Sequence, residues 1–312
     1  MKIIFWGLGS IGSRHARLIK KNFDFEIFAY RTTSNSPNQL DIEEIYNLED
    51  IKKIKPDVAF VTNPTSMHIQ SIHYAASQNL HLFIEKPLCD KLSKELSDSL
   101  LLIKKKRLFT YIACQLRFHP VIQYIKQIIK NKTIYVSRVI CSSYLPDWRS
   151  ERDYRTVYSA KKNMGGGVLL DLIHEPDYCS WLFGQIKKII GIYGKISHLE
   201  IDTEDFANYL VIHDSGIYSS IHLDYFGQKP QRIIEIIGNN FQISGDLLNN
   251  KITTFLPEPE TVFFEPIQKD EIYLRQLLYF FNCIQKNIQP MNSINDHLKI
   301  LKPVLNFKVC LV

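Results

Sequence analysis

Apolar and polar residues follow two different periodicities along the 312-residue chain, and the periodicity changes once. Up to about residue 114, short apolar runs alternate with segments in which apolar residues recur every three or four positions. Such runs predict buried strands, and the segments between them predict amphipathic helices. The predicted strands cover 3–6, 25–30, 58–62, 82–85 and 109–114, and the predicted helices cover 11–21, 42–53, 67–78 and 91–107. This α/β alternation predicts a doubly wound parallel sheet with helices on both faces.

The second part of the chain shows the period-two alternation of half-buried strands, after one more helix near 121–130. The predicted strands cover 133–144, 187–196, 206–213, 217–226, 232–237 and 241–244, and the predicted helices cover 168–183, 272–285 and 295–309. The turn Asp214-Ser215-Gly216 predicts an antiparallel hairpin. We therefore expect a first domain over 1–119 and a second, α+β domain with a mainly antiparallel sheet over 120–312.

The composition, with 45% hydrophobic and 22% charged residues, is that of an ordinary globular protein. The net charge of +6 is small, and the basic run 104–107 fits a solvated helix end, so we expect no nucleic-acid partner. No apolar run reaches membrane-spanning length, and a strand that starts at residue 3 leaves no room for a signal peptide. We expect a cytoplasmic protein without a membrane partner.

The cysteines lie far apart in the sequence, without a CxxC pair or the spacing of a zinc site. We therefore expect reduced, mostly buried thiols and no metal centre. The six residues are Cys89, Cys114, Cys141, Cys179, Cys283 and Cys310.

A GxGxxG motif links the first predicted strand to the first predicted helix. In this context Gly7 permits the tight turn, Gly9 lets the backbone approach a pyrophosphate, and Gly12 lets helix and strand pack closely. The N–H groups that open the helix, at Ser10 and Ile11, would then face the phosphates. A glycine turn without a ligand is the alternative.

Five motifs in a fixed order resemble the Gfo/Idh/MocA family. They are Gly7–Gly12 with His15, Thr62-Asn63-Pro64-Thr65, Glu85-Lys86-Pro87-Leu88, Leu116-Arg117-Phe118-His119-Pro120, and Gly165-Gly166-Gly167-Val168-Leu169-Leu170-Asp171. The resemblance implies a Rossmann domain joined to a domain with a large open sheet. It also implies hydride transfer between NAD(P) and sugars, inositols or nucleotide sugars, by a homodimer or homotetramer. The stretch 144–160 is similar to that of members associated with bacterial surface-sugar biosynthesis.

Lys86 is the first candidate for chemistry, because it follows a buried strand at the edge of the sheet where ligands bind. Partial desolvation there lowers the pKa of a lysine and fits it for proton transfer. The resemblance implies this role, and it implies a Lys-Pro bond that is often cis. A surface lysine that pairs with Glu85 is the alternative.

His174 is the second candidate, with Asp171 on the same face of the predicted helix three residues earlier. An imidazole beside a carboxylate can shuttle the proton of a secondary alcohol. A histidine that hydrogen-bonds Asp171 or Asp177 for structure alone is the alternative. The spacing from Asp171 to His174 is one residue shorter than in many family members, so either aspartate is a candidate to support His174.

The resemblance places further cofactor contacts after the strands of the first domain. Asn63 and Pro64 correspond to residues that meet the nicotinamide ribose, and Glu85 belongs to the motif that carries Lys86. We expect added contacts from Thr62 and His68, although His68 fits the start of a helix equally well.

The choice of dinucleotide depends on the residues that follow the second strand. NAD sites usually have Asp or Glu there for the ribose hydroxyls. This chain has Arg31 and Thr32 and no acid. A guanidinium and a hydroxyl favour a 2′-phosphate, so we expect NADP to be preferred over NAD.

A substrate-binding role is expected for Arg117, which follows the last strand of the predicted first domain, and for a loop of the predicted second domain. Arg117 is placed to reach the substrate or to act as a structural clamp. An aromatic and polar loop offers ring faces and donors suited to a sugar, with a packed connecting loop as the alternative. Its residues are Trp148, Arg149, Asp153 and Tyr158.

Three functions follow from these motifs. The first is an oxidoreductase that transfers a hydride to or from a secondary alcohol or ketone carbon of a sugar-like substrate. The second keeps the fold and uses bound NAD(H) for redox-neutral elimination or glycoside cleavage. The third is a nucleotide-sensing protein without catalysis, which has no need of Lys86 together with His174.

Overall fold

The chain folds into two compact units in the computed structural model, which describes residues 1–32, 38, 40–255 and 258–307. Unit 1 comprises Met1–Ala113 and Lys269–His297. Unit 2 comprises Cys114–Gln268 and Leu298–Val312, the latter described as far as residue 307. The sequence predicts a single boundary after residue 119, whereas in the structure the chain returns to unit 1 after unit 2.

Unit 1 is built on a six-stranded parallel sheet with the strand order β3-β2-β1-β4-β5-β6. Its central strands read as continuous apolar runs because helices cover both faces, which confirms the predicted doubly wound architecture. The strands are β1 Lys2–Trp6, β2 Glu26–Tyr30, β3 Glu43–Ile45, β4 Val58–Val61, β5 His81–Glu85 and β6 Thr110–Ala113. The helices are α1 Ser10–Asn22, α2 Leu48–Ile54, α3 His68–Ser77, α4 Lys94–Lys106 and, from the second segment, α8 Lys269–Gln285.

Stacked aromatic rings form the core of unit 1. Phe60 packs against Phe5 and Phe83 at centroid distances of 4.7 and 4.4 Å. Phe280 and Phe281 of α8 complete this cluster, at 5.3 Å from Phe83 and 6.1 Å from Phe60 respectively. The segment that returns to unit 1 therefore supplies part of its core.

The predicted helix over 42–53 is wrong in its first half. Residues 43–45 form the edge strand β3, and α2 begins only at Leu48. The side chain of Asn47 accepts a hydrogen bond from the N–H of Glu49 and so caps the helix. Apolar residues at 42, 45 and 51 fit a helix as well as a short strand followed by a helix, so the pattern alone could not separate them.

Unit 2 contains an eight-stranded sheet with the order β14-β13-β12-β11-β7-β10-β9-β8. All neighbouring strands are antiparallel except β7 and β10, which confirms the mainly antiparallel sheet. The hairpin predicted around Asp214 is present as β9 and β10. The strands are β7 Ile134–Ser142, β8 Ile186–Gly194, β9 Phe206–His213, β10 Tyr218–Asp224, β11 Gln231–Gly238, β12 Phe241–Asp246, β13 Lys251–Thr254 and β14 Glu260–Phe263.

The short strands β13 and β14 were not predicted, because four residues with few apolar side chains give a weak signal. The helices of unit 2 are α5 Pro120–Ile128, α6 Val168–Asp171, α7 His174–Phe183 and the second half of α9 Ile294–Asn306. The last predicted residues of α9, at 308 and 309, lie outside the described residues.

The single helix predicted over 168–183 is interrupted between Asp171 and His174. Pro176 explains the interruption, since it has no N–H to donate to the carbonyl of Leu172 and its ring would clash with that carbonyl. A proline is tolerated in the first turn of a helix, and α7 accordingly begins two residues before it. Asp171 therefore ends one helix and His174 begins the next.

Five cysteines are buried and form no disulfide among the described residues, while Cys310 lies outside them. Burial raises the pKa of the Cys89 thiol to about 12, so this side chain stays protonated. Within the described part of the chain, no helix combines the length and the apolar character needed to cross a bilayer.

Candidate active site

The glycine turn after β1 has the geometry of a dinucleotide-binding loop. Gly7 has a φ of +97°, which side chains disfavour. A Cβ on Gly12 would lie 2.3 Å from the carbonyl oxygen of Gly7 and 2.8 Å from Oγ1 of Thr62, so only glycine fits there. A Cβ on Gly9 would meet nothing within 4 Å. The turn is thus closely packed on its inner side and open at Gly9, where a pyrophosphate would approach.

The first turn of α1 supplies hydrogen-bond donors beside this opening. The first helical hydrogen bond runs from the N–H of Ser13 to the carbonyl of Gly9 at 2.9 Å. The N–H groups of Ser10, Ile11 and Gly12 therefore precede the helical ladder, and they point out of the helix N-terminus. Together with the positive end of the helix dipole they fit the phosphates of a dinucleotide.

A cavity of about 550 Å³ lies next to the turn, at the carboxyl ends of β1, β2 and β4. Its volume is within the range of small-molecule sites. Five residues predicted from the sequence to bind cofactor line it beside the glycines: Arg31, Thr32, Thr62, Asn63 and Pro64. Leu48, Met67, Gln70, Ser71 and Tyr74 also line the cavity, and none of them was predicted from the sequence as a binding residue. Each of the last four is three or four residues away from two of the others, between 67 and 74, so they lie on one face of the predicted helix. This spacing could have identified them once Asn63 and Pro64 were placed at the site.

His68 joins the segments that follow β4 and β5. Its Nε2 lies 2.9 Å from the carbonyl oxygen of Asn63, and its Nδ1 lies 3.0 Å from that of Pro87. Burial lowers the pKa of His68, so the neutral ring donates through one nitrogen at a time. The side chain of Asn63 donates to Ser71 at 2.9 Å. His68 thus positions the backbone around the predicted cofactor residues.

Lys86 follows β5, is half-buried, and is joined to Pro87 by a cis peptide bond. The preceding residue, Glu85, is buried and lies 2.6 Å from Nε2 of His15 on α1. The ring of His15 packs edge-on against Tyr273 at 5.6 Å. The contact between His15 and Glu85 ties the glycine-motif helix to the strand end that carries Lys86.

Tyr273 of α8 belongs to the surroundings of Lys86. Burial raises the pKa of Tyr273; the charge of Glu85 adds to this, and the charges of Arg14 and Lys86 oppose it. The guanidinium of Arg14 lies over the ring at 4.9 Å. Tyr273 was not predicted as a site residue, because the helix that carries it was expected in the second domain, whereas it belongs to unit 1.

An acid does accompany Arg31, although none follows β2 in the sequence. Nη1 of Arg31 donates to Glu44 on the neighbouring strand β3, and the hydroxyl of Tyr46 donates to the same carboxylate. The main-chain N–H of Arg31 donates to the carbonyl of Ile45 at 2.9 Å. The pairing of β2 with β3 therefore places a carboxylate beside Arg31, although the residues that follow β2 in the sequence include no acid.

In unit 2, the carboxylate of Asp171 is buried and accepts hydrogen bonds from two hydroxyls. Ser159 donates through Oγ, and Tyr225 donates at 3.3 Å. Burial raises the pKa of Tyr225 well above its ordinary value, so its hydroxyl remains a donor. Neither Ser159 nor Tyr225 was identified from the sequence. These bonds fix Asp171 at the end of α6, while His174 is buried at the start of α7.

Arg117 forms a bidentate salt bridge with Asp177, in which Nε and Nη2 each lie 2.8 Å from a carboxylate oxygen. Both side chains are buried. Arg117 also lies over the ring of Trp181 at 5.8 Å. The sequence allowed two roles for Arg117, substrate contact and structural clamp. The bidentate salt bridge has the geometry of a structural clamp.

The loop predicted to contact substrate forms four short 3-10 turns between residues 145 and 164. Trp148 donates to Ser143 at 2.9 Å and packs edge-on against Tyr225 at 5.3 Å. Asp153 pairs with Arg155, and Tyr158 donates to the carbonyl of Gly165 at 2.7 Å. Arg149 is exposed. The structure thus brings Trp148 and Asp171 to the same tyrosine, Tyr225.

Both units match the same protein family. Residues 1–111 match its oxidoreductase domain with the NAD-binding Rossmann fold, and residues 122–246 match its C-terminal domain. The chain belongs to the Gfo/Idh/MocA family. As a member of this family it is an oxidoreductase whose first unit binds a nicotinamide dinucleotide.

Individual relatives agree with this membership. The chain is 24% identical over 318 residues to the uncharacterized oxidoreductase YrbE of Bacillus subtilis (strain 168), covering 94% of this chain and 89% of the relative. It is 25% identical over 193 residues to 2,7-anhydro-N-acetylneuraminate hydratase of Escherichia coli (strain K12), covering 60% of this chain and 51% of the relative.

Among solved structures, UDP-N-acetylglucosamine 3-dehydrogenase GnnA of Acidithiobacillus ferrooxidans has the same fold. Its TM-score is 0.80 at 18% identity, over 98% of this chain and 95% of that chain. The large open sheet that the family resemblance implied is therefore confirmed.

Substitution of two of the three motif glycines by alanine should distinguish the packing of the turn from the access of the ligand to it. Gly12→Ala would collide with backbone atoms and lower the melting temperature, whereas Gly9→Ala should keep the melting temperature. Gly9→Ala should weaken dinucleotide binding by about tenfold or more, since its methyl group occupies the approach to the pyrophosphate. Thermal unfolding and calorimetric titration with NAD and NADP measure the two effects. Gly194→Ala in unit 2, also in open space, is the control, and full affinity in Gly9→Ala would contradict this assignment.

Proposed function

We propose that this chain transfers a hydride between nicotinamide C4 and a carbon that bears a secondary hydroxyl or ketone on a sugar, an inositol or a nucleotide sugar. The observation that carries the proposal is Lys86 at the carboxyl end of β5, in the unit that holds the glycine turn and the cavity. The names of the relatives support a sugar-like substrate, since one acts on an anhydro sugar and another on a nucleotide sugar.

Lys86 and His174 would handle the proton of the reacting hydroxyl in this proposal, and the bound nicotinamide would accept or donate the hydride. When an alcohol is oxidised, its C–H bond breaks with both electrons while a base takes the O–H proton. Lys86 is half-buried at the carboxyl end of β5, and its amine would serve as one of the groups that exchange this proton. Asp171, held by Ser159 and Tyr225, would bind or orient the substrate.

The remaining predicted substrate residues fall into two groups in this proposal. Trp148, Arg149 and Tyr158 lie on the 3-10 turns and Asp153 directly precedes one of them, and together they would offer ring faces and polar groups to a sugar. Arg117 would act through Asp177, by fixing the helix that His174 begins, because the salt bridge occupies its guanidinium on one edge.

A redox-neutral reaction is the second candidate, and the similarity to a hydratase supports it. Such an enzyme would hold NAD(H) tightly and return the hydride within one turnover. Substrate consumption without a net change in reduced-nicotinamide absorbance would identify it.

Removal of the proton-handling side chains tests the principal candidate. Lys86→Ala and His174→Ala should bind dinucleotide as the wild type does but lose turnover by about a hundredfold or more, the usual contribution of a general acid or base. Reduced-nicotinamide absorbance, with a panel of nucleotide sugars, inositols and nonulosonate sugars, measures turnover. Lys91→Ala, exposed a few residues beyond Lys86, is the matched control. Unchanged activity in both variants would end the proposal, and binding without turnover of any compound by the wild type would favour a nucleotide sensor.

We propose that NADP is preferred over NAD and that Arg31 and Thr32 contact the 2′-phosphate. Both residues line the cavity beside the end of β2, where the adenosine ribose of a dinucleotide lies in Rossmann folds. A guanidinium is a strong and geometrically suited partner for phosphate.

Arg31→Asp should weaken NADP binding by about tenfold or more, the scale of one charge-assisted hydrogen bond, and should leave NAD binding nearly unchanged or tighter. Dissociation constants for both dinucleotides, measured by calorimetry at one salt concentration, give the answer. At least tenfold tighter binding of NAD than of NADP by the wild type would contradict the preference.

We propose that the outer face of the unit 2 sheet forms a homodimer or homotetramer. Ile190 and Leu210 lie opposite each other on β8 and β9, and both are 36% exposed. Tyr218 and Phe263, on β10 and β14, are 46% and 72% exposed. Exposed apolar side chains that recur across one face of a sheet are typical of a surface that is buried against another protein.

A charge on this face should reduce the size of the assembly. Leu210→Glu should lower the mass measured by sedimentation velocity to that of a smaller species, since an unpaired carboxylate is costly to bury. Leu101→Glu, at a position in unit 1 that is 68% exposed, is the control and should change nothing. A wild-type protein that sediments as a monomer would overturn the proposal.

A further inference from the structure

Arg31, Glu44 and Tyr46 form a cluster on the edge of the unit 1 sheet, and two of its members, Glu44 and Tyr46, have no role in the proposed reaction. Nη1 of Arg31 donates to Oε1 of Glu44, and the hydroxyl of Tyr46 donates to Oε2. The side chains of Arg31 and Glu44 are only 12% and 14% exposed. Each oxygen of the carboxylate thus has its own donor, and the guanidinium is held against it.

Glu44 carries its charge at neutral pH. Burial acts to raise its pKa, but the hydrogen bonds from Tyr46 and Arg31 outweigh burial and hold the pKa of Glu44 below its ordinary value. The carboxylate and the guanidinium therefore form a pair with no net charge. A neutral pair attracts a phosphate dianion far less than an isolated guanidinium does.

Arg31 nevertheless faces the cavity in which the dinucleotide is proposed to bind. A guanidinium has donors on two edges, and the bond to Glu44 uses Nη1. A 2′-phosphate that binds another N–H of Arg31 would come within a few ångströms of the Glu44 carboxylate. The same charge that positions Arg31 therefore repels the group that Arg31 would bind.

We propose that Glu44 is a specificity-determining residue for the dinucleotide: by pairing with Arg31 it limits the preference for NADP and allows the site to accept NAD as well. This inference rests on the proposed binding of NADP and NAD by unit 1. It assigns the balance between the two dinucleotides to a residue of β3 rather than to the end of β2 alone.

Neutralisation of Glu44 tests the inference with binding measurements, which require no substrate. Glu44→Gln removes the charge and keeps the side-chain length, so the affinity for NADP should rise by about tenfold while that for NAD changes by less than about threefold. Calorimetric titrations of both dinucleotides into the purified protein give the ratio of the affinity for NADP to the affinity for NAD. The control is Glu43→Gln, which removes an exposed acid from the same strand and should leave the ratio unchanged.

Two further variants separate charge from shape and from folding. Glu44→Asp keeps the charge, so it should keep the wild-type ratio within about threefold. Glu44→Thr is a second neutral variant suited to an edge strand, and it should shift the ratio toward NADP as Glu44→Gln does. Thermal unfolding shows which variants are folded.

The inference is overturned by an unchanged ratio in a folded neutral variant, or by a shift toward NAD. It is also overturned if Glu44→Asp shifts the ratio as much as Glu44→Gln, because contact geometry and not charge would then set it. Failure of both neutral variants to fold would show that Glu44 is a structural residue only. A wild-type protein that binds neither dinucleotide would instead refute the proposed function, so the two failures are distinguishable.

Discussion

The close packing of α1 against the turn after β1 is the constraint on which the dinucleotide site depends. The absence of a side chain at Gly12 lets the helix start directly behind the strand, where its first N–H groups have no partner within the helix. This close contact between α1 and the turn fixes the position of Gly9, the open point of the turn, and the direction of the dipole of α1. It also places His15, one turn further along α1, against Glu85 at the end of β5. The phosphate-binding end and the strand end that carries Lys86 are therefore parts of one packed arrangement.

Much of unit 1 could be predicted from the sequence, because its signals are local. A glycine motif at residue 7 and apolar runs before Thr62 and Lys86 are enough to place these residues at one edge of a parallel sheet. What the sequence could not supply were partners from distant segments. Glu44 reaches Arg31 only through the pairing of β2 with β3, and Tyr273 reaches the surroundings of Glu85 only because α8 returns to unit 1.

The site in unit 2 was predicted less completely, for the same reason. Asp171 was identified from its motif, but its donors Ser159 and Tyr225 lie 12 and 54 residues away. The break between α6 and α7 has a local cause in Pro176, so it could have been predicted from the sequence. Arg117 and Asp177 differ from these residues. Both were candidates for a role in the chemistry, but in the structure they form a salt bridge with each other. Loss of either partner would break a buried, bidentate ion pair, a change that costs about 3–5 kcal/mol.

The return of Lys269–His297 to unit 1 has a consequence for the order in which the chain acquires structure. During synthesis the first 113 residues leave the ribosome long before Phe280 and Phe281, which complete the aromatic cluster around Phe60. Unit 2, in contrast, has all eight strands of its sheet by residue 263. The core of the first unit therefore remains incomplete until α8 has been synthesised, after all the strands of the second unit. Residues 1–113 are thus among the last parts of this chain to be fully packed.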